Sequence, residues 1–175
     1  RETRPEMEAL IKTIQEGKES EQEVAKEEDQ LDKLKQKVED YKENIIQEHP
    51  KKLTATILKS NKKLDIPKFE GPAEEVRMKE YIYRRQHFFD HVRDDPRFFR
   101  TKICNDMINF YMDNLTVPQP DSIIQSIDEV FRLLEPDSVA YQSYFYNYLN
   151  KYYGSEFMGM DAVFVHMVKE YTMKG

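Results

Sequence analysis

The sequence predicts an all-α fold: an antiparallel helical bundle or array with a charged helical hairpin, or one long helix, at its N-terminus. Three observations favour this class. Apolar residues recur at spacings of three and four through most of the 175 residues. There are only five glycines, few for the many tight turns of an all-β fold. Proline and aspartate interrupt the pattern together at 94–96, 118–121 and 136–138, as in short connections between helices.

Residues 1–48 are predicted to form a charged amphipathic helical segment. A first apolar stripe ends near Gly17, where a fully polar stretch follows. From Leu31 to Ile45 the apolar spacing alternates between three and four residues, which is typical of a helix that packs along a partner helix. Two arrangements remain open. We favour a hairpin that bends at Gly17, and the alternative is one long helix.

Residues 49–73 are predicted to be a short helix and a connector that contains proline. Pro50 ends the preceding helix, because a residue before proline avoids the helical conformation. Residues 74–175 are then expected to form a compact α-helical domain. Its predicted helices start near Glu74, Pro96, Pro120 or Asp121, Ser138 and Met160, and aspartate is expected to cap those that follow Asp95 and Asp137.

The predicted core of this domain is rich in aromatic residues. One helical face is expected to carry Met78, Tyr81, Ile82, Arg85, Phe88, Phe89 and Val92, and further core positions are Phe98, Phe99, Ile103 and Met107. Cys104, the only cysteine, lies among apolar neighbours and is interpreted as an inert core residue.

Charge is unevenly distributed along the chain. Residues 1–50 carry a net charge of −6, residues 51–102 carry +6, and residues 103–175 carry −6. A basic middle between acidic ends is not the profile of a nucleic-acid-binding protein, so it favours complementarity within the chain or with a protein partner. No apolar run reaches the length of a membrane span. The opening Arg1-Glu2-Thr3 lacks an initiator methionine, and we expect the chain to be an internal piece of a longer protein.

The stretch RRQHFFDHVRDDPRFFR, residues 84–100, is the densest cluster of chemically active side chains. His87 and His91 are four residues apart and would share a helix face, as a pair of metal ligands can. A catalytic zinc needs a third ligand and usually a nearby base, and the sequence offers neither in the expected place. We therefore interpret the stretch as two helices joined by a capped turn, with arginines and aspartates paired at the surface.

The helix predicted at 138–153 carries more tyrosines than one face can bury. Because tyrosine packs its ring while its hydroxyl seeks water or a partner, this helix is a candidate interaction surface. The candidate residues are Tyr141, Tyr144, Tyr146, Tyr148, Tyr152 and Tyr153. No catalytic triad, carboxylate pair, phosphate loop or cysteine cluster is recognisable, so no catalytic, cofactor-binding or metal-binding residue is predicted.

Several longer sequence segments resemble those of a known family. The segment 65–102, the later YMDNL and PDSI, and the closing GMDAVFVHMVKEYTMKG resemble a helical domain of TlpA-like thiol–disulfide oxidoreductases, over roughly residues 50–175. The charged helices at 1–48 are similar to the segment that follows an N-terminal β-rich domain in such proteins. The resemblance implies a location in the cell envelope, on the periplasmic side, of a Gram-negative bacterium, just ahead of a thioredoxin-fold domain whose Cys-x-x-Cys pair performs the chemistry.

That catalytic pair has no counterpart among these residues. The resemblance therefore implies a non-catalytic accessory domain that presents substrates or spaces the catalytic domain. Its expected partners are the thioredoxin-like domain of the same parent chain and protein substrates, with no cofactor and no nucleic acid. The alternative hypothesis is an independent helical ligand- or metal-binding module that uses His87, His91 and the tyrosine-rich helix.

Overall fold

The structure is a computed structural model that describes residues 3–19 and 25–172. Within these residues it consists of helices joined by turns and loops and contains no β-strand, which confirms the all-α prediction. The helices are α1 (Thr3–Glu19), α2 (Ala25–Glu48), α3 (Leu53–Ser60), α4 (Ala73–His87), a 3₁₀-helix (Pro96–Arg100), α5 (Lys102–Asn114), α6 (Pro120–Leu134), α7 (Ser138–Tyr153), α8 (Asp161–Met167) and a π-helix (Val168–Thr172). The chain divides into two compact units, Arg1–Leu58 and Lys59–Gly175. None of the described helices is both long enough and apolar enough to cross a membrane.

The first unit contains two helices that pack side by side. α1 and α2 are in contact with each other, and Ile14 and Leu31 are buried. The N-terminal segment is thus a pair of helices and not one long helix. The bend predicted at Gly17 is wrong, because α1 continues through this residue to Glu19. A glycine inside a helix costs only about 1 kcal/mol relative to alanine, and packing can offset that cost. Residues 20–24 lie outside the described part of the chain.

The second unit is organised around α6. This helix contacts α5, α7 and α8, and its buried residues outnumber those of any other described helix. The most deeply buried side chains of the unit include the apolar residues Phe89, Val92, Phe98, Phe99, Cys104, Ile108, Ile127, Val130, Phe131, Leu133, Leu134, Val163 and Met167. The core positions predicted at Phe89, Phe98, Phe99 and Cys104 are confirmed, whereas Phe88, Ile103 and Met107 are only half-buried.

The predicted caps stand at the predicted helix starts. The Asp95 carboxylate accepts a hydrogen bond from the backbone N–H of Arg97, with Pro96 as the first residue of the 3₁₀-helix. The Asp137 carboxylate accepts from the N–H groups of Val139 and Ala140 at the start of α7. Each side chain supplies acceptors to N–H groups that have no partner inside their helix. These caps fix the points at which the chain changes direction.

The predicted apolar face of the helix beginning near Glu74 is not a buried face. α4 ends at His87 and has no buried residue, and Met78 is 59% exposed. Polar bonds anchor this helix instead: the Tyr81 hydroxyl donates to the Leu115 carbonyl, and the Arg85 guanidinium donates to the Ser126 hydroxyl at 2.8 Å. Phe89 and Val92, expected on the same helix, are buried in the turns that follow it.

Candidate interaction site

The two histidines of the 84–100 stretch do not share a helix face. His87 is the last residue of α4, and His91 lies exposed in the turn beyond it. The Nδ1 atom of His87 is 2.6 Å from the Oδ2 atom of Asp90, so this ring is engaged by a neighbouring carboxylate. Among the described residues, no group of three or more histidine, cysteine, aspartate or glutamate side chains is placed to hold a metal ion.

The arginines of the stretch act over longer distances than the sequence suggested. Among the interactions of the described residues, Arg97 is the arginine that pairs within the stretch, with Asp95. The Arg100 guanidinium instead makes a bidentate contact of 2.6 and 3.0 Å with Asp137, 37 residues further along the chain. This contact, with the hydrogen bonds from the α7 backbone, holds the pKa of the Asp137 carboxyl below its usual value. The stretch therefore has a structural role, since it connects the segment after α4 to the start of α7.

The tyrosine-rich helix α7 has two apolar faces. One face packs into the core: Phe145, Tyr148 and Tyr152 are buried, and Tyr141 and Tyr144 are half-buried. Burial is the main reason why the pKa of the Tyr148 phenol is raised. Electrostatic interactions with Tyr144, Tyr152 and Asp113 raise this pKa further by smaller amounts. These tyrosines are chiefly packing residues, because their rings contact one another and the core residue Phe131.

A second face of α7, beside the buried one, carries apolar side chains into solvent. Val139, Tyr146 and Tyr153 are 58%, 61% and 77% exposed, and each is seven residues from the next. Half-buried Leu149 lies between the two tyrosines, so the spacing from Tyr146 to Tyr153 is three and then four residues. Residues at this spacing form one stripe along a helix. We call Val139, Tyr146, Leu149 and Tyr153 the α7 stripe.

The loop after α7 extends this apolar character. Phe157 and Met158 are among the most exposed large apolar side chains of the described residues. They lie between Gly154 and Gly159, and Gly159 has a positive φ of 84° that a residue with a side chain rarely adopts. A cavity of about 560 Å³ borders this loop, and its wall includes Met112, Ile123, Tyr152, Phe157 and Met160.

Cys104 is not available for chemistry at the surface. Its side chain is fully buried in α5, and burial raises the pKa of its thiol to about 12. Since the thiolate is the nucleophile in disulfide exchange, a buried thiol that stays protonated near neutral pH is inert.

Residues 36–174 match the model of a family described as a domain of unknown function, DUF5106. The chain belongs to this family. The DUF5106 match begins inside α2, so it includes the second half of that helix as well as residues 74–174 of the predicted compact domain. No curated protein and no solved structure matches the chain.

The sequence pointed to α7 of this DUF5106 chain but did not separate its two faces. Tyr146 and Tyr153 are the two exposed members of the candidate set. Phe157 and Met158 were missed. A pair of large apolar residues between two closely spaced glycines is the signal that could have identified them, since loops normally expose polar residues.

Proposed function

We propose that this chain is a non-catalytic accessory domain of a cell-envelope thiol–disulfide oxidoreductase. In this proposal it precedes a thioredoxin-like domain on the periplasmic side of a Gram-negative bacterium and docks on that domain through the α7 stripe. The sequence resemblance over roughly residues 50–175 supports the parent and its location. The exposure of the α7 stripe is the observation that supports docking.

The chemistry of the stripe suits a protein contact. Tyrosine buries a large ring at a small entropic cost and can still hydrogen-bond through its hydroxyl, which is why it is common at the energetic centres of interfaces. A helix of a monomeric domain normally buries one apolar face, whereas α7 has a second, exposed apolar face beside the buried one. The second face is most simply explained by a partner that covers it.

The inert thiol supports a role without catalysis. An exchange cycle within one chain needs an attacking and a resolving thiol, and Cys104 is the only cysteine. We expect insulin reduction by the chain to be indistinguishable from that by a Cys104→Ser variant. Turnover that disappears in the variant would contradict the proposal.

The docking proposal can be tested by titration with the thioredoxin-like domain expected in the same reading frame. We expect saturable binding in isothermal calorimetry and chemical-shift changes along α7. A Tyr146→Ser/Tyr153→Ser double variant should raise the Kd by about tenfold or more, because a tyrosine at an interface centre often contributes over 1 kcal/mol to the binding free energy.

Tyr41→Ser provides the matched control, since Tyr41 is 67% exposed on α2. It should bind as the unaltered chain does. If the control and the double variant bind equally well, the α7 stripe is not the docking surface. If the reading frame encodes no Cys-x-x-Cys domain, or if that domain does not bind, the accessory role itself is overturned.

A further inference from the structure

A second surface feature lies where α6 meets the C-terminal helices. Asp128 of α6 interacts through one oxygen atom, Oδ1, with two side chains: the Nε2 atom of His166 at 2.7 Å and the hydroxyl of Tyr171, which donates to it. His166 belongs to α8 and Tyr171 to the π-helix. In a regular α-helix, residues five apart project about 140° away from each other. The wider π turn allows both to reach the same carboxylate, and such turns are frequent at functional sites because they are otherwise unfavourable.

A cavity of about 600 Å³ opens beside this cluster. Its aromatic wall is made of Phe131, Tyr141 and Tyr171, whose rings are in mutual contact at centroid distances between 4.6 and 6.4 Å. A neighbouring cavity of about 590 Å³ shares Glu135, Tyr141 and Tyr171 with it, so the two cavities adjoin. The volume of each cavity alone is in the range of small-molecule sites.

The charges that line the cavity are mainly negative. Asp128, Glu135 and Glu170 contribute carboxylates, and Arg132 contributes the one arginine or lysine side chain among its described lining residues. The Arg132 guanidinium is bonded to Glu129, which lies outside the lining, so its charge is partly neutralised there. Both interactions described for Asp128 involve Oδ1, and among the described residues no partner is seen at its Oδ2.

The pKa values of two tyrosine hydroxyls reflect the same negative charge. Burial raises the pKa of Tyr141, and the negative charge of Glu135 raises it further. The pKa of Tyr171 is raised by burial, by its hydrogen bond to Asp128 and by the charges around it, including Glu170. The carboxylates thus lie close enough to act on the hydroxyl groups of two of the rings that form the wall.

We propose that this cavity binds an organic ammonium group. Aromatic faces attract such cations through the ring quadrupole, and carboxylates at the rim add Coulomb attraction. The ammonium group could belong to a small free amine or to a lysine side chain of a polypeptide, because both present the same chemistry. Tyr146 of the α7 stripe lines only the neighbouring cavity, and none of the residues that line the cavity beside Asp128 belongs to the stripe. The proposal also does not depend on the identity of the parent protein.

The test is an NMR titration of the full chain with n-butylammonium, with n-butanol as the neutral analogue and butyrate as the anionic one. We expect saturable shifts at Tyr141, Tyr171 and His166 with butylammonium alone. Glu135→Gln should weaken this binding by about three- to tenfold, the size expected for a cation contact at a partly exposed site. Tyr141→Leu should weaken it by a similar factor through loss of an aromatic face.

Glu156→Gln is the control, because Glu156 is an exposed carboxylate that lines the separate cavity beside Phe157. It should leave the affinity unchanged. Since Glu135 is itself exposed, its replacement tests the proposal even if Tyr141→Leu fails to fold. N-acetyl-lysine methylamide distinguishes the two sources: tighter binding than butylammonium assigns the site to a lysine side chain, and equal binding assigns it to a free amine. No saturation by either amine, equal binding of butanol, or no effect of Glu135→Gln would overturn the proposal.

Discussion

At the scale of single residues, position in the fold separates side chains of the same type. Phe98 is completely buried, whereas Phe157 is 78% exposed. The tyrosines of α7 differ in the same way, since Tyr148 is buried and Tyr146 is exposed. Burial likewise keeps the thiol of Cys104 away from the surface. Residue type alone therefore did not distinguish packing residues from contact residues in this chain.

The two phenylalanines allow this contrast to be measured. Phe98→Ala should lower the free energy of unfolding by roughly 3–5 kcal/mol, because it removes a buried ring and leaves a cavity. Phe157→Ala makes the same substitution at the surface and should change it by less than about 1 kcal/mol. Urea denaturation followed by circular dichroism measures both. Comparable losses for the two variants would contradict the burial described for Phe98.

At the scale of elements, most helix boundaries follow from local chemistry. Proline, aspartate and glycine mark several helix ends correctly. α2 ends just before Pro50, α6 begins at Pro120, and α7 follows Asp137 and ends before Gly154. The end of α4 at His87 had no such signal. Phe88 and Phe89 continue a helical apolar pattern, but Phe89 reaches the core from a turn, so a long-range packing choice overrode the local one.

The start of α7 should give the chain a measurable pH dependence. Because the Asp137 pKa is lower in the folded state, its contribution to stability is fully present above the unfolded pKa and is lost as pH falls through the folded pKa. Between neutral pH and about pH 3, the unaltered chain should therefore lose more unfolding free energy than Asp137→Asn, which keeps a capping oxygen but cannot ionise.

Asp106→Asn is the control for this comparison, since Asp106 pairs with Lys102 on the exposed side of α5. Its unfolding free energy should follow that of the unaltered chain across the same pH range. Parallel pH profiles for the unaltered chain and Asp137→Asn would show that the Asp137 carboxylate is not specially stabilised by the fold.

At the scale of the whole chain, the sequence predicted the helical class correctly. It did not determine at which residue one independently folding part ends and the next begins. Its predicted segments 1–48, 49–73 and 74–175 remain predictions. The compact units meet at Leu58, while the family match begins at residue 36. The candidate site was only partly predictable for the same reason. Periodicity places Tyr146 and Tyr153 on one face, but it does not say which face of α7 the rest of the chain covers.

Removal of the first helices tests this organisation directly. A chain that starts at Lys51 keeps α3 whole and retains every deeply buried residue of the second unit. We expect it to stay soluble and helical and to melt in one cooperative transition, because a domain of about 100 residues can sustain its own core. Aggregation, or melting without a cooperative transition, would mean that α1 and α2 are required for folding.

Three arginines near the start of the second unit share one further property. Arg85, Arg93 and Arg100 each bond a partner 36 to 41 residues ahead, at Ser126, Glu129 and Asp137. Donors and acceptors follow each other in the same order along the chain. Ser126 and Glu129 belong to α6 and Asp137 caps α7, so a shift of the arginine segment past these two helices would break all three bonds together. Apolar packing alone tolerates alternative arrangements, whereas a set of directional bonds specifies one. Because partly exposed ion pairs stabilise a protein only weakly, the arginines contribute mainly a fixed register, through which the helices adopt a single native alignment.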